Sequence, residues 1–187
     1  MITKQHRIFL AINLPDKIKK RLSEFKKEWF DLPIRLTKTE NLHITLIFIG
    51  YVDTEEVIDV CKLTKEAISK ESIFEIKLNK ICFGPLNKKP RMIWAVGDIN
   101  NDLSRLKNNL EGNLFNSNKN ITGYNRSFRP HIILAKIKQK EWLKLLNKPN
   151  IKKDISLSFL VDSVKIMESY LSRKGPEYTV LESIPLK

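Results

Sequence analysis

Three histidines occur in this chain of 187 residues, and two of them sit in near-identical settings. His43 lies in Asn41-Leu42-His43-Ile44-Thr45-Leu46-Ile47-Phe48-Ile49-Gly50, and His131 in Phe128-Arg129-Pro130-His131-Ile132-Ile133-Leu134-Ala135-Lys136. Imidazole titrates near neutrality, so one ring can hold a proton while another lacks it. Two imidazoles facing each other across a basic cleft suit in-line displacement at phosphorus. The neutral ring takes a proton from water, and the charged ring gives one to the leaving oxygen. A lone histidine on an apolar strand would read as a satisfied core residue; the pairing changes that reading. His6 has no comparable partner and reads as a surface residue.

Both histidine segments are apolar runs of strand length, one ended by glycine and the other opened by proline. Side chains alternate faces along a strand. Leu42, Ile44, Leu46 and Phe48 then share one face, and His43, Thr45, Ile47 and Ile49 the other, with core packing expected for Phe48. Thr45 can donate a hydrogen bond to a non-bridging phosphate oxygen, which contributes about 1.5–3 kcal/mol when the acceptor is charged. Arg129, just before the second histidine, is a candidate phosphate contact. A regular strand places Lys136 on the Ile132 face, so that it reaches the cleft only if the strand bends.

The remaining elements must hold these two strands. Ile8 to Ile12 reads as a first strand. A helix opens at Pro15-Asp16, with Ile18, Leu22, Phe25 and Trp29 at helical spacing and the intervening lysines on a solvated face. Ile34 to Thr37 is a short strand. Asp53 caps a helix over 54–69. Phe74, Ile76 and Leu78 alternate as a strand, and Ile81 to Phe83 continue or pair with it. Met92 to Val96 is a strand, and Leu103, Leu106, Leu110 and Leu114 mark a third helix. A polar loop, 116–128, leads to His131, with Lys119 and Arg126 as basic substrate-facing candidates; Tyr124, Phe128 and, by sequence proximity, Phe48 are candidates to stack on a base. A short helix over 141–147 and strands over 155–161, 164–171 and 178–184 complete the chain. Helices set among hairpin-like strand pairs predict an α+β fold with antiparallel sheet.

The net charge is +13, from 34 Lys+Arg against 21 Asp+Glu. That excess favours polyanionic partners without specifying a reaction, and a sequence rich in Lys, Asn and Ile carries part of it through composition alone. With 42% hydrophobic and 29% charged residues the chain has the composition of a soluble globular protein. No apolar run is long enough to span a bilayer, and the amino terminus lacks signal-peptide order. Cys61 and Cys82 match no ligand spacing and read as reduced core residues of a cytoplasmic protein. Neither a metal-ligand cluster nor a phosphate-binding glycine loop is evident, so no metal and no cofactor is expected.

His43-Ile44-Thr45-Leu46 and His131-Ile132-Ile133-Leu134 resemble the paired His-x-Thr signatures of the 2H phosphoesterase superfamily. The resemblance is closest to its bacterial and archaeal RNA 2′,3′-cyclic phosphodiesterases, historically called 2′-5′ RNA ligases. It extends through Ile8 to Ile12 with Leu14-Pro15, Pro90 to Trp94, Phe128 to His131, and Gly175 with Tyr178-Thr179-Val180, spanning nearly the whole chain. It implies one domain over 1–187 of two pseudo-two-fold lobes, with antiparallel sheets lining a central cleft and helices packed outside. The implied reaction is metal-independent opening of a terminal RNA 2′,3′-cyclic phosphate to a 2′-phosphate, with His43 as acid and His131 as base. The implied partner is RNA with such ends, tRNA fragments among them, met by a monomer away from any membrane.

Two departures qualify the match. Ile133 stands where the second signature has threonine and cannot donate a hydrogen bond. Lys136 stands where the family often has arginine, which implies a phosphate contact that keeps the charge without the bidentate fork. Two other readings remain open on sequence alone: a basic RNA-binding module with a decayed catalytic site, and a cyclic phosphodiesterase for small nucleotides.

Overall fold

The computed structural model describes residues 4–86, 88–117, 128–147, 149–172 and 175–187. The candidates Lys119, Tyr124 and Arg126 lie outside them. In chain order the elements are β1 (His6–Asn13), α1 (Asp16–Lys26), β2 (Ile34–Leu36), β3 (His43–Val52), α2 (Thr54–Ile68), β4 (Phe74–Gly84) and β5 (Met92–Gly97). Then come α3 (Asn101–Ser117), β6 (His131–Ile137), α4 (Gln139–Leu143), β7 (Lys153–Val161), β8 (Ser163–Ser172) and β9 (Gly175–Pro185).

The α+β class with antiparallel sheet is what forms. The strands run β7-β4-β5-β6-β3-β1-β8-β9, with β2 beside β6, and every pairing is antiparallel. Two four-stranded sets meet at one residue pair, Ile44 of β3 opposite Ile132 of β6. Farther along the same edge of β6, β2 takes over, with Ile34, Arg35 and Leu36 opposite Ile137, Lys136 and Ala135. The thin junction is where the two histidine strands touch, each with its imidazole one residue before the shared pair.

Burial explains the placement of the helices. Leu103, Leu106, Leu110 and Leu114 form a fully buried stripe along α3. In α2, Asp53 accepts a hydrogen bond from the Glu56 amide, and the Glu56 carboxylate accepts one from the Asp53 amide, each at 2.9 Å, closing a capping box. The fourth helix begins two residues earlier than expected and is shorter, and its Trp142 packs into the core edge-on to Phe83 at 5.7 Å.

Two expectations are corrected. The lysines of α1 are not all solvated: Lys19 is 8% and Lys26 6% exposed. Their stems lie on the core, and their ammonium groups donate to the Glu40 carbonyl at 3.1 Å and the Thr37 carbonyl at 2.7 Å. Burial pushes both pKa values down, against the pull of nearby carboxylates. These lysines fasten the segment that leads from β2 to His43. His6 is likewise no surface residue. Its side chain is 14% exposed, with Nδ1 donating to buried Glu168 at 2.8 Å and Nε2 3.3 Å from the Thr54 hydroxyl. Strand parity puts His6 on the face of Ile8, Leu10 and Ile12, and a buried partner waits there on β8.

Candidate active site

A cavity of about 420 Å³ opens over the junction of β3 and β6, and His43, Thr45, His131 and Ile133 line it. That volume falls in the usual range of small-ligand sites. Both imidazoles are oriented by the same device. His43 Nδ1 donates to the Asn41 carbonyl at 2.7 Å, and His131 Nδ1 donates to the Arg129 carbonyl at 3.1 Å. In each case the acceptor lies two residues back, where the chain enters the strand. The proton on Nδ1 fixes the tautomer and leaves Nε2 as the atom that can exchange a proton. His43 Nε2 lies 2.9 Å from the Thr45 hydroxyl.

Burial is the main influence on both rings, and it pushes both pKa values below 6.5. The accepting carbonyls oppose the shift. Lys19 and His131 add to it at His43.

Aromatic groups hold the imidazoles. The Phe9 and Tyr178 rings lie 5.1 and 5.3 Å from His43, the latter edge-on. Trp94 stacks on His131 at 4.2 Å with an interplanar angle of 32°. Asn41, besides receiving the His43 proton, donates from its buried side chain to the Pro176 carbonyl at 2.8 Å, tying β9 to the entry of β3.

Two β-bulges decide which other residues reach the cavity. In β3, Leu10 faces Ile47 while Ala11 faces Thr45, so Leu46 is an extra residue. The bulge reverses the alternation. Ile47 enters the core, and Phe48, expected there, is 67% exposed on the cavity wall beside Phe9 at 5.9 Å. In β6, Ile93 faces Ala135 while Trp94 faces Ile133, leaving Leu134 extra. The Leu134 carbonyl accepts from the Thr37 amide at 2.9 Å instead. This is the bend that Lys136 requires, and Lys136 lines the cavity with His131 and Ile133.

Arg129 fares differently. It is exposed and not among the cavity-lining residues; its contribution is the carbonyl that receives the His131 proton. Phe128 packs against the core, 5.5 Å beneath the Lys107 ammonium, and is likewise not part of the lining. Residues not singled out from the sequence also belong to the cavity, among them Phe9, Tyr178, Arg7 and Arg35. Phe9 and Tyr178 sit in stretches whose family resemblance was legible; nothing local marked the two arginines. Among the described residues no group of three or more His, Cys, Asp or Glu side chains could hold a metal ion. No described helix is long and apolar enough to cross a membrane.

Comparison with known proteins gives consistent matches. Residues 12–94 match the family model described as LigT like phosphoesterase. The chain is 32% identical to an RNA 2′,3′-cyclic phosphodiesterase of Methanocaldococcus jannaschii, over 94% of this chain and 98% of that one. It is 30% identical to a protein of the same name from Aquifex aeolicus, over 96% and 97% of the two chains. The crystal structure of TT0787 from Thermus thermophilus superposes with a TM-score of 0.83 at 26% identity, covering 96% and 97% of the chains. E. coli LigT complexed with 3′-AMP shares the fold, with a TM-score of 0.79 at 24% identity over 98% and 99% of the chains.

Proposed function

The chain belongs to the LigT-like phosphoesterase family, and from that premise we propose that it hydrolyses terminal 2′,3′-cyclic phosphates of RNA to 2′-phosphates without a metal ion. The observation that carries the reading is the matched tethering of His43 and His131. Two imidazoles on strands joined at one residue pair have their Nδ1 protons committed to backbone carbonyls and line one cavity.

In this reading the phosphate sits between the rings. His131 Nε2 takes a proton from the attacking water as its oxygen bonds to phosphorus. The bond from phosphorus to the 3′-oxygen breaks, and protonated His43 gives its Nε2 proton to that oxygen. Thr45 donates to one non-bridging oxygen. Lys136, brought round by the bulge at Leu134, neutralises the other as a point charge where Ile133 offers no hydroxyl. Residues 1–187 act as one two-lobed domain, each lobe supplying one histidine. The protein works as a cytoplasmic monomer on RNA ends such as those of tRNA fragments.

The test is incubation with an oligonucleotide ending in a 2′,3′-cyclic phosphate, in EDTA, with analysis of the product end. We expect conversion to a 2′-phosphate. His43→Ala and His131→Ala each lower the rate by about 10²–10⁴-fold, the usual contribution of one positioned acid or base. RNA binding, driven by spread positive charge, persists in both variants and weakens with salt. Strict dependence on added divalent metal, or near wild-type turnover by both variants, overturns the proposal.

A further inference from the structure

The cavity lining carries more positive charge than a single cyclic phosphate can neutralise. Arg7, Arg35, Lys38 and Lys136 line it, and no aspartate or glutamate is among the described lining residues. Arg35 of β2 and Lys136 of β6 are directly opposite in their ladder. Like charges in that position destabilise a sheet. Among the described residues neither of them, nor Arg7, is engaged in an ion pair with a carboxylate. All three line one cavity, and Lys136 responds to both arginines: burial lowers its pKa, and Arg35 and then Arg7 lower it further. Both arginines also act on Tyr178, against the rise that burial gives its hydroxyl.

We propose that Arg35 and Arg7, with Lys136 beside them, form a second anion position that takes the phosphate on the 5′ side of the terminal nucleotide. The inference rests on the reading that the cyclic phosphate of that nucleotide lies between the histidines. Lys136 stands between the two positions. Its backbone is about 16 Å along β6 from His131 at ~3.3 Å per residue, and both side chains line the same cavity. The arginine fork matches a pair of phosphate oxygens, so Arg35 and Arg7 suit a phosphate that must be held but not broken. The consequence is selectivity for a strand end over a free nucleoside cyclic phosphate.

The minimal probe is adenosine 2′,3′-cyclic phosphate with and without a 5′-phosphate. Wild-type kcat/KM is expected to be about tenfold higher with the 5′-phosphate, mostly through KM, as charge-assisted hydrogen bonds allow. Arg35→Gln, and separately Arg7→Gln, reduce that ratio toward one, lowering kcat/KM on the 5′-phosphorylated substrate far more than on the other. A wild-type ratio near one, or equal losses on both substrates in both variants, overturns the second anion position. If wild type cleaves neither mononucleotide, equilibrium binding decides the anion position separately, and the hydrolytic reading has failed only if a cyclic-phosphate oligonucleotide is also left intact. Adenosine 2′,5′-bisphosphate should then bind about tenfold more tightly than adenosine 2′-phosphate, with the difference lost in Arg35→Gln. Equal affinity of the two ligands for wild type overturns it.

Discussion

Trp94 stacks on His131 at a tilt of 32°, with the two ring centroids 4.2 Å apart. The indole reaches that position by crossing Gly84 on the neighbouring strand β4, where an added Cβ would overlap the ring. Glycine is therefore required by close approach rather than by a turn. The glycine admits the indole, the indole supports the imidazole, and the Arg129 carbonyl fixes the remaining rotation.

Trp94 should act on the reaction through the position of His131. Its Nε1 is buried without a hydrogen-bond partner among the described residues, so the ring face is what matters. Trp94→Phe keeps a face and should stay close to wild type in kcat. Trp94→Leu and Gly84→Ala should each lower kcat by about 10- to 100-fold, the cost of a misplaced group, with a displaced acid–base pH profile. Steady-state kinetics across pH check this. Unchanged profiles in both variants would reduce the stack to packing.

The two lysines buried on α1 should matter for stability where their neighbours do not. Lys26→Met keeps the stem and removes the donor to the Thr37 carbonyl. Losing a charged hydrogen bond to a carbonyl costs about 1.5–3 kcal/mol. Lys20→Met, on the exposed side of the same helix, should change stability by no more than about 0.5 kcal/mol. Urea unfolding midpoints compare the two. Because the Thr37 to Asn41 segment positions His43, Lys26→Met should also lower kcat, and equal midpoints would detach α1 from the site.

Much of this site was legible in the sequence, and the parts that were not share one cause. The parity of His43, Thr45, His131 and Ile133 follows from local alternation, which holds until a bulge intervenes. Phe48 lies beyond the bulge at Leu46, and Lys136 beyond the bulge at Leu134. A bulge is decided by the partner strand, so neither position could be assigned from its own segment. The opposition of Arg35 and Lys136 needs the β2–β6 pairing, which joins segments far apart in the chain. The buried heads of Lys19 and Lys26 need carbonyls beyond the end of their own helix. By contrast the leucine stripe of α3 and the Asp53 cap are local patterns, and both formed as read.

The pH dependence follows from the two depressed imidazoles. The free enzyme needs one ring neutral and the other protonated, so kcat/KM peaks midway between two values that both lie below 6.5. Its maximum is therefore expected on the acid side of 6.5, with log kcat/KM falling at unit slope above it as the acid loses its proton. A bound phosphate anion favours the imidazolium form. The maximum in kcat should then stand at higher pH than that in kcat/KM. A kcat/KM still rising above about pH 7 would contradict burial as the controlling influence.

Ile133 offers the sharpest check on how the phosphate is held. It lines the cavity beside His131, opposite Trp94 in the ladder, at the position that Thr45 occupies relative to His43. A threonine there is close in shape at the β-branch and fits the strand. Ile133→Thr should supply a second hydroxyl to the phosphate, and a hydrogen bond to a charged oxygen contributes about 1.5–3 kcal/mol. Where that stabilisation is confined to the transition state, the rate rises by about tenfold or more, since about 1.36 kcal/mol is a decade. Thr45→Val should have the opposite and larger effect, because it removes the hydroxyl 2.9 Å from His43 Nε2 and leaves none at either signature. Values of kcat/KM on a cyclic-phosphate oligonucleotide measure both. No gain from Ile133→Thr together with a harmless Thr45→Val would place the phosphate away from these strand positions and leave Lys136 without the role given to it.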